Sequence, residues 1–191
     1  CYSTRGLHVI GAMNITNTLW NVFSVSYLAM GNAVGIIMGR MLGAGDTEEE
    51  VRSANRKLTA FSVAVSIVFA ILYGLTGQVF PNIYNTTDQV RDLARMLITV
   101  GVIIQPLSAY TNSTYFTLRS GGQVLITMLF DSCFVWVVNV PLAFCLTHFT
   151  GLDIVAVYFC CQITETVKCV LGAWMIKRGT WIRNIVVHEG A

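Results

Sequence analysis

Long stretches without charge alternate with short polar links along this chain, and the stretches are too long to be strands. The first covers about 8–39 and carries nothing ionisable except His8. An uncharged second stretch covers about 58–77. An uncharged third covers about 96–118, within a helix that starts near 92 and is interrupted by Pro106. The fourth, about 124–147, holds Asp131 and Pro141; the fifth, about 153–176, holds Glu165 and Lys168. Each is near or above the roughly 20 residues that a helix needs to cross a bilayer. The predicted fold is therefore an all-α polytopic membrane bundle of about five transmembrane helices, in a single domain over 1–191. The first segment is longer than a bilayer requires and must tilt, bend or project into water.

The links are short and polar, so neighbouring helices run antiparallel. The longest, 41–57, is predicted to form an amphipathic helical turn. Asp46 or Thr47 can cap it, Glu48, Glu49 and Glu50 suit its positive end, and Glu48 stands four residues before Arg52. In the 78–95 link, Asn85-Thr86-Thr87 fits a glycosylation acceptor but reads as a turn. Basic residues are unequally shared between the two sides: eight (Arg40, Arg52, Arg56, Lys57, Arg119, Lys177, Arg178 and Arg183) against three (Arg5, Arg91 and Arg95). That bias puts the richer side and the C-terminus in the cytoplasm, with Trp174 and Trp181 at the inner interface.

Gly31, Gly35, Gly39 and Gly43 recur every fourth residue at the end of the first segment, just before the charged link. Residues four apart share a helix face, so the run predicts a groove of bare backbone against which another helix packs closely. A glycine inside a helix costs about 1 kcal/mol against alanine, which argues for a packing role.

Composition supports the membrane reading. Of 191 residues 54% are apolar and 12% charged, where soluble domains carry about 25% charged residues. The six cysteines, Cys1, Cys133, Cys145, Cys160, Cys161 and Cys169, mostly fall in apolar runs without a Cys-x-x-Cys pair, and read as small buried hydrophobes. A net charge of +2 with no aromatic-interleaved basic patch gives no reason to expect nucleic acid. His8, His148 and His188 have no nucleophile or metal-ligand spacing around them, so no enzyme, cofactor or metal site is expected. The chain opens at Cys1 without a basic-then-apolar leader and is expected to be an internal fragment reaching a natural C-terminus.

Polar groups inside lipid are functional candidates. Asn14, Asn17, Asn21 and Ser24 step by three and four along the first helix and share a face, which must meet partner helices or a water-filled cavity. The third helix offers Gln105, Ser108 and Asn112 around Pro106, a proline that either bends the helix or exposes polar backbone to a cavity. Pro141, with Asn139 beside it, repeats that choice in the fourth helix. Asp131 lies about 10 Å inside the fourth helix, deep enough for reversible protonation and shallow enough to pair with Arg119. Glu165 can pair with Lys168 three residues on, or Lys168 can snorkel to the inner interface.

Four motifs in order resemble one family. Residues 34–45 (VGIIMGRMLGAG) are similar to the "VGxxLGAG" helix end of the multidrug and toxic compound extrusion (MATE) transporters. Leu118-Arg119-Ser120-Gly121-Gly122-Gln123 is similar to their "LRGxGDT" loop, Asn139-Val140-Pro141-Leu142-Ala143 to "xxPLA", and Gly179-Thr180-Trp181 to "GKW". The resemblance implies a partial C-terminal lobe, about helices eight to twelve of twelve, lacking its first helix and the N-terminal lobe. It implies a secondary active transporter in the plasma membrane that exports amphipathic, often cationic, compounds by alternating access. Na⁺ or H⁺ would be the coupling ion, and membrane lipid and the missing N-terminal lobe would be its partners. The position of a helix-ten carboxylate in some members falls at about Ser108, so no cation ligand carries over. On this reading Asn14, Asn17, Asn21, Gln105, Ser108 and Asn112 line the substrate path, and Asp131 and Glu165 are the acids for cation coupling. A lipid-linked oligosaccharide flippase of the same superfamily and a non-transporting membrane scaffold are the alternatives.

Overall fold

The computed structural model describes residues 6–150, 153–179 and 181–182, with the backbone alone for residues 130 and 131. Cys1, Arg5, Thr180, Arg183, His188 and the Asp131 side chain lie outside the described residues. The chain forms helices α1 Leu7–Ala44, α2 Glu48–Val79, α3 Asp88–Ser120, α4 Val124–Phe134, α5 Val140–Phe149 and α6 Ile154–Arg178. A π-helical turn, Val135–Asn139, joins α4 to α5 in one span, so five helical units are long and apolar enough to cross a membrane.

The 41–57 link is not a separate turn: α2 begins inside it. Thr47 caps α2 by accepting the Glu50 N–H at 3.4 Å, while a Glu50 carboxylate oxygen accepts the Thr47 N–H at 3.1 Å. Glu48 and Arg52 meet at 2.7 Å. No glycine or proline follows before the apolar run, so the helix continues into the membrane. Just upstream, Gly45 ends α1 at φ 78°, donating its N–H to the Met41 carbonyl.

The prolines behave differently from each other. Pro106 does not break α3, which is helical on both sides of it. Beside it, Ser66 on α2 donates its hydroxyl to the Gln105 carbonyl at 3.2 Å, tying α2 to α3 at this turn. Pro141 is preceded by the π-helical turn, which widens the backbone where the carbonyl a turn earlier has no N–H to accept.

Helix α3 packs against α1, α2 and α6. Toward the C-terminal end of α1, Val34, Met38 and Leu42 meet Val51, Leu118, Met175 and Trp181. Toward its N-terminal end, Ala12 and Ile15 meet Val90, Ala94 and Leu97. Trp181 is no interfacial anchor: it is wholly buried and its indole N–H donates to the Ile176 carbonyl at 3.1 Å. Trp174 does lie exposed, with Arg178 3.7 Å above its ring.

The glycine groove is shorter than its motif. A side chain at Gly31 would strike Asn112 and Phe116 of α3, and one at Gly35 would meet the Phe116 ring at 3.2 Å. At Gly39 it would find Ser120 at an ordinary 3.7 Å, and at Gly43 nothing within 4 Å. The tight part of the groove therefore lies at Gly31 and Gly35 and loosens toward Gly43. The α2–α3 contact is a buried polar seam: Thr117 donates to Asn55 at 2.7 Å and Ser113 to Ser62 at 2.9 Å.

Leu125, Trp136, Val137 and Phe149 are exposed, and α2 exposes Phe61, Val68, Ile71 and Leu75. Such an exterior is stable against hydrocarbon and not against water. The same reasoning corrects the cysteines: Cys169 is buried, but Cys133 and Cys145 are exposed, since a lipid-facing side chain needs no burial to be apolar in surroundings.

Candidate functional site

Three helices leave a gap where their polar positions meet. Asn17, Trp20 and Tyr27 of α1, Ile104, Ser108, Thr111, Asn112 and Tyr115 of α3, and Tyr158, Gln162, Glu165 and Lys168 of α6 enclose about 440 Å³. Close approach at Gly31 and Gly35 holds α1 on one wall, and Gly172 of α6, against Thr114 of α3, closes another. The cavity therefore opens between helices locked together by small residues on either side.

Its walls are polar and partly fixed. Gln162 donates to the Tyr158 hydroxyl at 3.2 Å. Thr111 donates to the Leu107 carbonyl at 3.0 Å and lies 3.0 Å from the Cys169 sulfur. The Asn112 side-chain oxygen is buried and has no protein partner among the described residues. Lys168 and Glu165 form an ion pair at 3.0 Å, the lysine side chain 6% and the glutamate 21% exposed. The lysine does not snorkel: its ammonium also lies 5.4 Å from the Phe134 ring. Removing either partner would strand a charge, at a cost of roughly 3–5 kcal/mol.

Of the six residues expected along the substrate path, Asn17, Ser108 and Asn112 are brought together here, with Glu165. Asn14 and Asn21 are exposed and do not line the cavity. At 3.6 residues per turn they lie about 60° and 40° further round α1 than Asn17, which carries them past the opening. Gln105 is wholly buried, and neither end of its amide has a partner among the described residues. The α2 helix covers this turn of α3 through Ser66, and through Tyr73, whose ring abuts Gly101. Arg119 faces Thr127 at 3.4 Å and Phe116 at 5.8 Å.

Sequence reasoning missed Tyr158 and Gln162, though with Glu165 they repeat the four-then-three spacing of Asn17, Asn21 and Ser24. It also placed no basic residue on the cavity wall, where Lys168 stands. A larger groove, about 1150 Å³, runs between α2, α3 and α6 past Val63, Ala64 and Ile67, with Arg52, Arg56 and Lys177 also on its wall.

A bundle of membrane-crossing helices around a polar cavity defines a multi-pass membrane protein. The chain belongs to the MatE family, whose model matches residues 2–145. It is similar to Multidrug and toxin extrusion protein 2 of Oryctolagus cuniculus, 25% identical over 143 residues, which is 73% of this chain and 24% of that protein. It is similar also to Probable multidrug resistance protein YoeA of Bacillus subtilis (strain 168), 21% identical over 153 residues, 80% of this chain and 33% of that protein. The chain thus spans about a quarter to a third of the length of these relatives. No solved structure matches it.

Proposed function

We propose that this chain forms most of the C-terminal lobe, about helices eight to twelve, of a cation-coupled exporter of amphipathic organic compounds. The cavity of Asn17, Ser108, Asn112 and Glu165 is the part of the substrate path that this lobe contributes, and its polarity among apolar helices is the observation that carries the reading. Tyr158, Trp20 and Tyr27 supply aromatic faces suited to amphipathic molecules, while amides and hydroxyls orient their polar ends. Glu165 is the described acid on the wall and, with Asp131, the candidate for coupling to Na⁺ or H⁺. The second lobe of the same protein would close the path, and alternating access would follow from rocking of the two lobes. The excess of basic residues around the 41–57 link, at the end of α3 and at the end of α6 supports a cytoplasmic side for these segments, in the plasma membrane. A flippase for lipid-linked sugars would call for a wider, more basic wall than one carrying a single, already paired, lysine.

The test is efflux of a fluorescent cationic dye from drug-sensitive cells expressing the full-length protein. Ser108→Leu and Asn112→Leu, at unchanged membrane abundance, are expected to bring dye accumulation to that of cells lacking the protein. Glu165→Gln and Asp131→Asn are expected to alter transport without abolishing insertion. Wild-type efflux in the two leucine variants would remove this cavity from the path; wild-type efflux in both acid variants would remove those acids from the coupling.

A further inference from the structure

The cavity wall carries a carboxylate that already holds a cation of its own. Glu165 and Lys168 stand one helical turn apart at 3.0 Å, and the lysine is the more deeply buried of the two. Glu165 is the partner that retains exposure, 21% against 6%, so the carboxylate meets the cavity while the ammonium backs it. The aromatic ring of Phe134 lies 5.4 Å from the ammonium, within reach of a cation–π contact. Around the pair stand Tyr27 and Asn17 of α1, Ser108, Asn112 and Tyr115 of α3, and Tyr158 and Gln162 of α6, none of them charged at neutral pH. The described wall is therefore dipolar and close to neutral, where a bare glutamate would have made it anionic.

From this arrangement we infer that Lys168 is a specificity-determining residue: a tethered counter-cation that competes with a bound cation for Glu165. The inference rests on the cavity being a substrate site, and refines which charges that site accepts. A molecule with a single positive charge is attracted by Glu165 and repelled, from nearly the same distance, by Lys168, so the two terms largely cancel. A molecule with both charges can set its cation against the carboxylate and its anion toward the ammonium, keeping both wall charges compensated. The structure assigns the site to amphipathic compounds that carry both charges, in preference to permanently charged monocations.

The test uses purified full-length protein and two probes of matched shape, butyltriphenylphosphonium and its carboxylated analogue (carboxybutyl)triphenylphosphonium, measured by equilibrium binding. The wild type is expected to favour the dipolar probe. Lys168→Gln is expected to tighten the monocation by about tenfold and weaken the dipolar probe, reversing the preference. Lys168→Arg keeps the cation and is expected to keep the wild-type preference. The double variant Glu165→Gln/Lys168→Gln removes both charges, leaves no stranded group, and is expected to lose the gain in monocation affinity. An unchanged preference in Lys168→Gln, or a preference that Lys168→Arg fails to keep, overturns the inference. Loss of dye efflux as the activity of the intact protein, with the binding preference still reversed by Lys168→Gln, would overturn the exporter reading and leave this one standing.

Discussion

Gly31 shows how much one missing methyl group decides. The side chains of Asn112 and Phe116 occupy the space that a Cβ there would need, so α1 and α3 approach at that level only because nothing projects between them. Gly31→Leu is expected to lower the thermal stability of the detergent-solubilised full-length protein, by an overpacking cost of about 1–3 kcal/mol. Gly43→Ala, with nothing within 4 Å of the added methyl, is expected to leave it unchanged or raise it, by up to about 1 kcal/mol. A thermal melt followed by size-exclusion chromatography reads both; equal effects would mean that the groove plays no part in packing. The glycine spacing was legible in the sequence, but its limits were not. Periodicity tells which residues share a face, whereas the crossing of two helices decides how far along that face they touch. The same geometry separates Asn17 from Asn14 and Asn21, which share a stripe by count and part company by 40–60° of rotation.

Among the elements, α2 and α3 are joined by hydroxyls and amides where a soluble protein would bury leucines. Ser113 donates to Ser62 at 2.9 Å, and Thr117 reaches both the Asn55 amide oxygen at 2.7 Å and the Ser113 carbonyl at 3.0 Å. Thr117 thus keeps a partner if Asn55 is lost, while Ser62 and Ser113 depend on each other. A double-mutant cycle of Ser62→Ala and Ser113→Ala is expected to return a coupling of about 0.6–1.7 kcal/mol in unfolding measurements, and a value near zero would contradict the bond. Single serines and threonines in apolar helices give no sequence signal of this kind, because their partners lie about 40 to 60 residues away. The helices themselves were legible from the apolar runs. Their ends were not, since α2 draws its first turns from a capping box in a charged link and α4 passes to α5 through a π-helical turn.

On the scale of the whole molecule, an apolar exterior, small-residue contacts at Gly31, Gly35 and Gly172, and an interior polar cavity belong to one arrangement. Family membership was legible from four short motifs, three of them at the ends of spans, around Gly45, Gly121 and Gly179, and one at the π-helical turn before Pro141. Half of the predicted substrate-path residues line the cavity; the rest of its wall comes from further residues of α1 and α3 and from α6, whose Tyr158, Gln162 and Glu165 stripe becomes meaningful only once α6 is placed opposite α1. The account's central claim is that this cavity holds water inside a lipid-embedded bundle. Its most direct measurement is labelling of single cysteines, in a cysteine-free full-length protein in intact membranes, with a membrane-impermeant thiol reagent applied to each side in turn. Asn17→Cys, Ser108→Cys and Asn112→Cys are expected to react and to be protected by substrate, while Trp136→Cys and Val137→Cys stay unlabelled. Unreactive cavity positions beside reactive ones at 136 and 137 would contradict the account.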